Sequence, residues 1–334
     1  MTNTPTAKLL DAAIAARASL FDTRHEGAFR LFNGFYEGCA TLVVDLYART
    51  AVVHNYADPP AAGDEAVRAA RELILERLPW VRTVVLKTRN GKTMGDKRGV
   101  LIHGTTPDRR IVEFGVRYAV DLLMNRDASF YLDTRNLRQW ALENLAGKTV
   151  LNTFAYTGSL GVAALAGGAA RVVQADLNRQ FLNVAKSSCV LNGFPICKKD
   201  FQTADFWPHI SRLKRANERF DCIFLDPPFF AVTGQGRVDL ASNCTRLINK
   251  VRPLLNDGGF LVAVNNALFV SGVDYMAELE AICADGYVSV AKLIPVPVDF
   301  IGHGDFCAVG APCDPAPFNH STKIAVLQVR RKAS

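Results

Sequence analysis

The chain has 334 residues, 49% of them hydrophobic and 21% charged, with a formal net charge of +7. That length predicts a sizeable core with a smaller second domain, and every apolar stretch is broken by Asn, Asp or Arg well before the roughly 18 to 20 residues of a membrane span. The eight cysteines are scattered with no Cys-x-x-Cys pair, which reads as reduced core thiols rather than a disulfide framework or a metal site.

The first residues lack the basic-then-apolar layout of a secretory signal, so a cytoplasmic location is expected. Residues 1–21 predict an N-terminal helix, with Leu9, Leu10, Ile14, Leu20 and Phe21 as its apolar positions. Residues 22–121 predict a small α+β module. Within it, 41–47 and 51–56 form a hairpin across Ala48, Arg49 and Thr50. Pro59, Pro60 and Gly63 then break the chain before a helix that Asp64 can cap and Pro79 stops. Two strands follow at 83–87 and 99–103. Between them Lys87, Arg89, Lys92, Lys97 and Arg98 face a single acid, Asp96. This is either a solvated hairpin tip or an arm that grips RNA phosphates, and the basic excess of the whole chain suits such an anionic partner.

Paired extended runs at 110–115 and 117–121 lead to a domain boundary near 122–127, and residues 122–334 form the larger unit. A helix with Leu137, Trp140, Ala141 and Leu145 on one face precedes an alternation of strand and helix. Strands are predicted at 150–154, 171–176, 196–198, 220–226, 260–264, 287–294 and 323–329, and helices from 159, at 179–191, at 238–251 and at 274–284. The fold class is α/β, a doubly wound parallel sheet with a smaller N-terminal α+β domain.

The segment Val150-Leu-Asn-Thr-Phe-Ala-Tyr-Thr-Gly-Ser-Leu-Gly161 runs from a strand through a small-residue turn into a helix, and Asp176 lies 18 residues past Gly158. That is the layout of a nucleotide-cofactor loop with a ribose-binding acid, and it fits NAD or S-adenosylmethionine equally. The end of the fourth predicted strand of the larger unit, Leu225-Asp-Pro-Pro-Phe-Phe230, separates them. A carboxylate, a rigid carbonyl and a ring at the crevice can hydrogen-bond the amino edge of a base and stack on its face. A proline-stiffened loop with a core Phe is the plainer alternative.

These motifs accompany Arg30-Leu-Phe-Asn-Gly34, Val43-Val-Asp45, Val120-Asp-Leu-Leu123, Phe130-Tyr-Leu-Asp-Thr-Arg135, Asn152-Thr-Phe-Ala-Tyr-Thr-Gly158, Asp176, Phe220-Asp221, Asp226-Pro-Pro228 and Ser321-Thr-Lys323. Together, from about residue 8 onward, the chain resembles the class I S-adenosylmethionine-dependent methyltransferases of the 23S rRNA large-subunit I and K type. The resemblance implies a Rossmann-like seven-stranded methyltransferase sheet, S-adenosyl-L-methionine as cofactor and a base of ribosomal RNA as substrate. It implies that Asn152, Phe154, Tyr156, Thr157 and Gly158 line the methionine and ribose side, and that Asp176, beside Leu177, accepts the ribose hydroxyls. Asp205 would meet the adenine amino group, with Asp200 as its competitor and a plain helix cap as the alternative. Phe130, Tyr131, Asp133 and Arg135 would close over the cofactor, unless Asp133 and Arg135 form a local ion pair. Asp226, Pro227 and Phe229 would floor the base site.

Three places depart from the family pattern. Asn152 stands where many class I enzymes carry an acid, and no separate RNA-binding domain is expected before residue 21. The fifth predicted strand of the larger unit ends Val264-Asn-Asn-Ala-Leu-Phe269, where cytosine-5 members place the cysteine that must add to carbon 6. Asn265 and Asn266 cannot attack, and Cys222 and Cys244 are expected to be buried. Nitrogen methylation, with Asn265, Asn266 and Phe229 positioning the base, is therefore the favoured chemistry. His303 and Asp305, near Cys307 and Cys313, match no metal-ligand spacing and read as an active-site loop. The rival functions are a small-molecule or protein methyltransferase of the same fold and a non-catalytic RNA-binding protein. The sequence leaves a homodimer open.

Overall fold

A computed structural model describes residues 4–242, 244–302 and 312–331. The chain forms two units, residues 1–132 with 297–310 and residues 133–296 with 311–334. No helix among the described residues is long and apolar enough to cross a membrane.

The first unit begins with α1 (Pro5–Ala16), whose proline occupies the first turn while Thr4 caps the Ala7 amide at 3.2 Å. Strands β1 (Ala28–Asn33), β2 (Leu42–Tyr47) and β3 (Thr50–Asn55) are antiparallel neighbours. The helix α2 (Asp64–Arg77) carries the chain over to β4 (Thr83–Thr88), parallel to β3, as a parallel connection requires. The short helix α3 (Met94–Arg98) then leads into β5 (Val100–His103), giving a five-stranded sheet in the order β1-β2-β3-β4-β5. A separate ribbon, β6 (Arg110–Glu113) and β7 (Val116–Ala119), follows.

Alternation along these strands divides the sheet into an apolar and a polar face. Phe29, Leu31, Val44, Leu46, Val53 and Val84 join Leu10, Ile14, Val67 and Ile74 of α1 and α2 in one core. Their neighbours Arg30, Asp45 and His54 consequently point the other way. There the Arg30 guanidinium bonds Asp45 at 2.8 Å and lies 3.9 Å over the Phe300 ring, and His54 sits 3.3 Å from Asp45. The returning segment is fixed by Arg17, fully buried, which pairs with both Glu37 oxygens at 2.8 and 3.0 Å and donates to the Asp299 carbonyl at 3.0 Å.

The second unit opens with α4 (Arg135–Asn144), then alternates β8 (Thr149–Thr153), α5 (Ser159–Ala166), β9 (Arg171–Asp176), α6 (Arg179–Leu191), β10 (Phe201–Thr203), α7 (Phe206–Arg215) and β11 (Phe220–Leu225). A hairpin of β12 (Phe230–Thr233) and β13 (Gly236–Asp239) precedes α8 (Cys244–Val251), β14 (Leu255–Asn265), α9 (Gly272–Cys283), β15 (Val288–Ile294) and β16 (Lys323–Val329). The seven-stranded sheet has the order β10-β9-β8-β11-β14-β16-β15, with β16 antiparallel to both neighbours and the other pairings parallel. Apolar clusters cover both faces, which is why its strands read as continuous hydrophobic runs.

Three expected boundaries move. Residues 122–132 stay with the first unit, because the buried Lys87 ammonium donates to the Asn125 carbonyl, Tyr47 donates to the Phe130 carbonyl at 3.0 Å and the Phe130 ring packs against Tyr118. The strand expected at 196–198 is displaced to β10, since pairing with β9 begins only where Phe201 comes alongside Gln174. The helix expected from 238 begins at Cys244, because Gly234 and Gly236 turn the preceding segment into the β12–β13 hairpin.

Replacing Arg17 by Ala would strand the Glu37 carboxylate without its cation, and a loss of about 3–5 kcal/mol is expected in urea unfolding. The pair Arg17→Met with Glu37→Leu should recover part of that loss; a single-variant cost below about 1 kcal/mol would mean that the ion pair does not hold the segment.

Candidate active site

The strand order reverses between β8 and β11, and the crevice at the carboxyl ends of two such strands is where open α/β sheets bind ligands. The chain leaving β8 is left-handed at three nearby positions: φ is +52° at Phe154, +50° at Tyr156 and +77° at Gly158. For residues with a Cβ this costs roughly 1–2 kcal/mol each, so the loop needs external support. Ala155 N–H donates to the Ala175 carbonyl at 2.9 Å and Tyr156 N–H to Asp176 Oδ2 at 2.8 Å. The Phe154 ring stacks on Phe206 at 4.7 Å, and Tyr156 meets Phe181 edge-on at 4.5 Å. Gly158 starts α5. A Cβ there would fall 2.5 Å from the Ala185 Cβ, and one at Gly161 would fall 2.7 Å from the Gln174 amide. Both glycines let the helix settle on Gln174.

Asn152 is 2% exposed and donates to Gln174 Oε1 at 3.0 Å. The expectation that it touches the cofactor is corrected: it props the loop from below, and its neutral amide suits a partner that is itself neutral. Thr157 is buried within the loop. Asp176 closes β9 with one oxygen on the Tyr156 amide and the other on the Asn178 amide, both at 2.8 Å, and burial pushes its carboxyl above the usual range. The Leu177 amide also bonds this carboxylate, so three of its about four acceptor positions are held by backbone amides. Leu177 beside it is exposed.

Asp205 caps α7 through the Trp207 amide at 3.0 Å, and β10 delivers it to the same sheet edge, where the Ala204 amide bonds the Asp176 carbonyl at 3.0 Å. Its rival Asp200 stands at the opposite ends of the strands, bound to Arg171 at 2.8 Å. Burial and that arginine leave Asp200 outside the site.

At the end of β11, Asp226 has no hydrogen bond from any described residue. Burial, then the nearby Asp133 charge, pushes its carboxyl up to about 7. Asp133 in turn accepts from the Thr322 hydroxyl at 2.9 Å, and Arg135 opens α4. Pro227 is buried and its carbonyl receives the Asn266 amide at 3.4 Å, while Asn266 Oδ1 is buried without a partner. Asn265 is corrected as a base contact. It is 0% exposed and turned inward, with Oδ1 on the Ala267 amide at 2.9 Å. Just after Asp226 and Asn266 in the chain, Phe229 and Phe230 and then Leu268 and Phe269 are exposed, the last at 75%. Neither Cys222 nor Cys244 is a ready nucleophile: both are buried, which raises both thiols, that of Cys244 to about 12.

Sequence reasoning missed the part of Lys323, although it quoted the Ser321-Thr-Lys323 motif. Its buried ammonium donates to the carbonyls of Ala267 at 3.0 Å and Ser321 at 2.6 Å, and burial lowers it to about 8. It pins the turn that follows β14.

The basic arm of the first unit is only partly an arm. Lys87 is 0% exposed, donating to the carbonyls of Arg98 and Asn125 and lowered to about 8 by burial. Arg89 pairs with Asp127 at 3.3 Å and reaches the Arg126 carbonyl at 2.8 Å. Both are corrected from phosphate contacts to internal ties. Lys92 and Arg98 are exposed and Lys97 half-buried, the latter two on α3, which Thr93 and Asp96 cap reciprocally. Tyr131 also belongs to the first unit, where its hydroxyl bonds Asp127 at 3.1 Å. His303, Asp305 and Cys307 lie outside the described residues.

A family model described as S-adenosylmethionine-dependent methyltransferase matches residues 80–303. The ribosomal RNA large subunit methyltransferase I of Vibrio cholerae is 35% identical over 202 residues, 59% of this chain and 50% of that protein. Its namesake in Aliivibrio fischeri is 31% identical over 298 residues, 85% and 71% of the two chains. The chain thus spans about half the length of the first of these curated relatives. A solved structure from Streptococcus mutans, assigned as a SAM-dependent methyltransferase, superposes with a TM-score of 0.82 at 22% identity, covering 97% of this chain and 81% of that one, and shares the fold.

The residues fit that cofactor. The glycine turn leaves no room for a side chain beneath it, and an acid with a spare acceptor position ends the neighbouring strand. Asp176→Ala is expected to weaken S-adenosylmethionine binding about 10- to 100-fold by calorimetry, the worth of hydrogen bonds to a charged group. An unchanged dissociation constant would place the ribose elsewhere.

Proposed function

The chain belongs to the S-adenosylmethionine-dependent methyltransferase family, and on that premise we propose that it methylates a base of ribosomal RNA, at a nitrogen rather than at cytosine carbon 5. The observation that carries this reading is Asp226, a carboxyl without a hydrogen bond from the described protein, followed closely in the chain by the exposed rings of Phe229 and Phe230. Such a set suits a flat heterocycle, which stacks on rings while a carboxylate meets its polar edge. The names of the relatives supply ribosomal RNA as the source of that base. Lys92, Lys97 and Arg98 are the proposed phosphate contacts of the first unit, and the expected setting is the cytoplasm.

Bound S-adenosylmethionine supplies an electrophilic methyl group on a cationic sulfonium. On the cofactor side we assign Phe154, Tyr156, Gly158, Asp176, Leu177 and Asp205, with Asp133 and Arg135 as closing residues. On the base side Asp226, Pro227, Phe229 and Asn266 orient the ring. A nitrogen lone pair needs no prior covalent addition, whereas carbon 5 needs a thiolate, and the buried thiols of Cys222 and Cys244 stay protonated. As the nitrogen gains its methyl group the base becomes more positive. The Asp226 carboxylate stabilises that charge or accepts a proton from the nitrogen.

Two measurements test this. Nucleoside mass spectrometry of ribosomal RNA incubated with enzyme and cofactor should show an N-methylated base; 5-methylcytosine would overturn the nitrogen assignment. The second is the pH profile. Because Asp226 holds its proton up to about 7, kcat/KM should rise about tenfold per pH unit below that value and level off above it. Asp226→Asn should be slower and lose this limb; a limb that persists belongs to another group.

A further inference from the structure

On the first unit a cavity of about 230 Å³ is walled by four arginines, Arg24, Arg49, Arg82 and Arg110, with His25 among them and only two carboxylates, Glu26 and Asp108. Asp108 is already engaged, since its Oδ2 accepts from the Arg49 amide at 3.0 Å and the Thr50 hydroxyl at 2.8 Å. Glu26 stands 3.7 Å from the Arg110 guanidinium, which is 60% exposed. Among the described residues the Arg49 guanidinium reaches only the Arg24 carbonyl, at 3.5 Å. No ion pair holds Arg24 or Arg82 among the described residues. Asp22, behind the loop, spends its carboxylate on the amides of Arg24, Glu26 and Gly27; with it counted, four arginines still outnumber three carboxylates, and like charges are drawn together at a cost unless an anion offsets it.

The walls are preformed. Ala48 N–H donates to the Gly27 carbonyl, Arg82 N–H to the Arg49 carbonyl and Val112 N–H to the Glu26 carbonyl, each at 2.8 Å. His25 and Ala48, on two of the loops, are both left-handed, at φ +54° and +51°, and backbone strain of this kind gathers where a ligand is clamped. The His25 ring is fixed by stacking on Trp80 at 3.9 Å, and its Nδ1 is buried without a partner. Guanidinium forks match phosphate oxygens two at a time. The volume lies below the roughly 300 Å³ at which drug-sized sites begin, so it suits one phosphate and its ester rather than a whole cofactor.

We propose that this cavity holds a phosphate ester, and that in the working protein the ester is a backbone phosphate of the RNA strand; only the second part rests on the RNA reading above. The test uses the full chain and the variant Arg82→Ala with Arg110→Ala, both exposed positions. Anisotropy of a labelled ribosomal RNA fragment is measured across a salt series, with calorimetry of S-adenosylmethionine as the control for folding. The variant should bind RNA more weakly, with a log-log salt slope shallower by about 0.7 to 0.9 for the lost phosphate, and should keep the cofactor affinity. Unchanged affinity and slope in a variant that still binds cofactor would overturn the proposal. If the unaltered protein binds no RNA, the RNA reading fails, and thermal stabilisation by pyrophosphate or adenosine monophosphate decides the rest. Stabilisation that disappears in the variant supports a site for free phosphate esters, and no stabilisation of the unaltered protein overturns the pocket as well.

Discussion

A single carboxylate ties together the loop after β8 and the turn into α6. Asp176 holds the Tyr156 amide with one oxygen and the Asn178 amide with the other. The first bond fixes a loop that is left-handed at Phe154, Tyr156 and Gly158, and the second sets the turn into α6. Without it, the backbone after β8 would relax toward ordinary dihedrals and the small-residue turn would lose its shape. Gln174, two residues earlier on the same strand, supports the loop from beneath by taking the Asn152 amide and filling the space under Gly158 and Gly161. One face of β9 and its terminal residue therefore determine the path of β8's continuation. This is the physical content of a glycine-containing cofactor loop: the chain is forced close to the ligand, and a neighbouring strand offsets the strain.

The other half of the crevice follows a different electrostatic logic. Burial, with the Asp133 charge adding to it, raises the Asp226 carboxyl to about 7, so that this group retains its proton close to neutrality. Nearby, Lys323 is buried with carbonyl partners instead of a carboxylate and is lowered toward about 8. These groups do not neutralise one another in a salt bridge. Of the two, only Asp226 has a shift that brings its titration to neutrality, and perturbed acids of this kind gather at functional sites.

Much of this was legible in the primary structure, and the failures have a common cause. The parallel strands, their order of appearance, the loop after β8 and the acid at the end of β9 are all encoded locally, by apolar runs, by glycine and by spacing. Asp205 was reached only through the family resemblance, because the strand that precedes it, β10, lies later than the apolar residues at 196–198 suggest. What was not legible was direction. Lys87 and Arg89 sit in a basic run, yet one ammonium is drawn into the unit by two carbonyls and one guanidinium by Asp127; a charge count carries no information on which way a side chain turns. Asn152 failed for the same reason, being on a strand buried on both faces. The hairpin of β12 and β13 was misread because its alternating apolar residues, Phe230 and Val232, face solvent, the reverse of the pattern that identifies a half-buried strand.

The inward turn of Asn265 strengthens the case against a covalent route beyond the identity of the residue. It has no exposed surface, and its Oδ1 is committed to the Ala267 amide while Lys323 holds the Ala267 carbonyl. As it stands, Asn265 offers the crevice no group that could add to a base. Reach toward the crevice falls instead to Asn266, whose amide holds the Pro227 carbonyl and whose own oxygen still lacks a partner. An amide in that place can orient a heterocycle by donating and accepting, but it forms no bond to carbon. Orientation alone suffices for a ring or amino nitrogen, whereas carbon 5 requires a prior covalent addition.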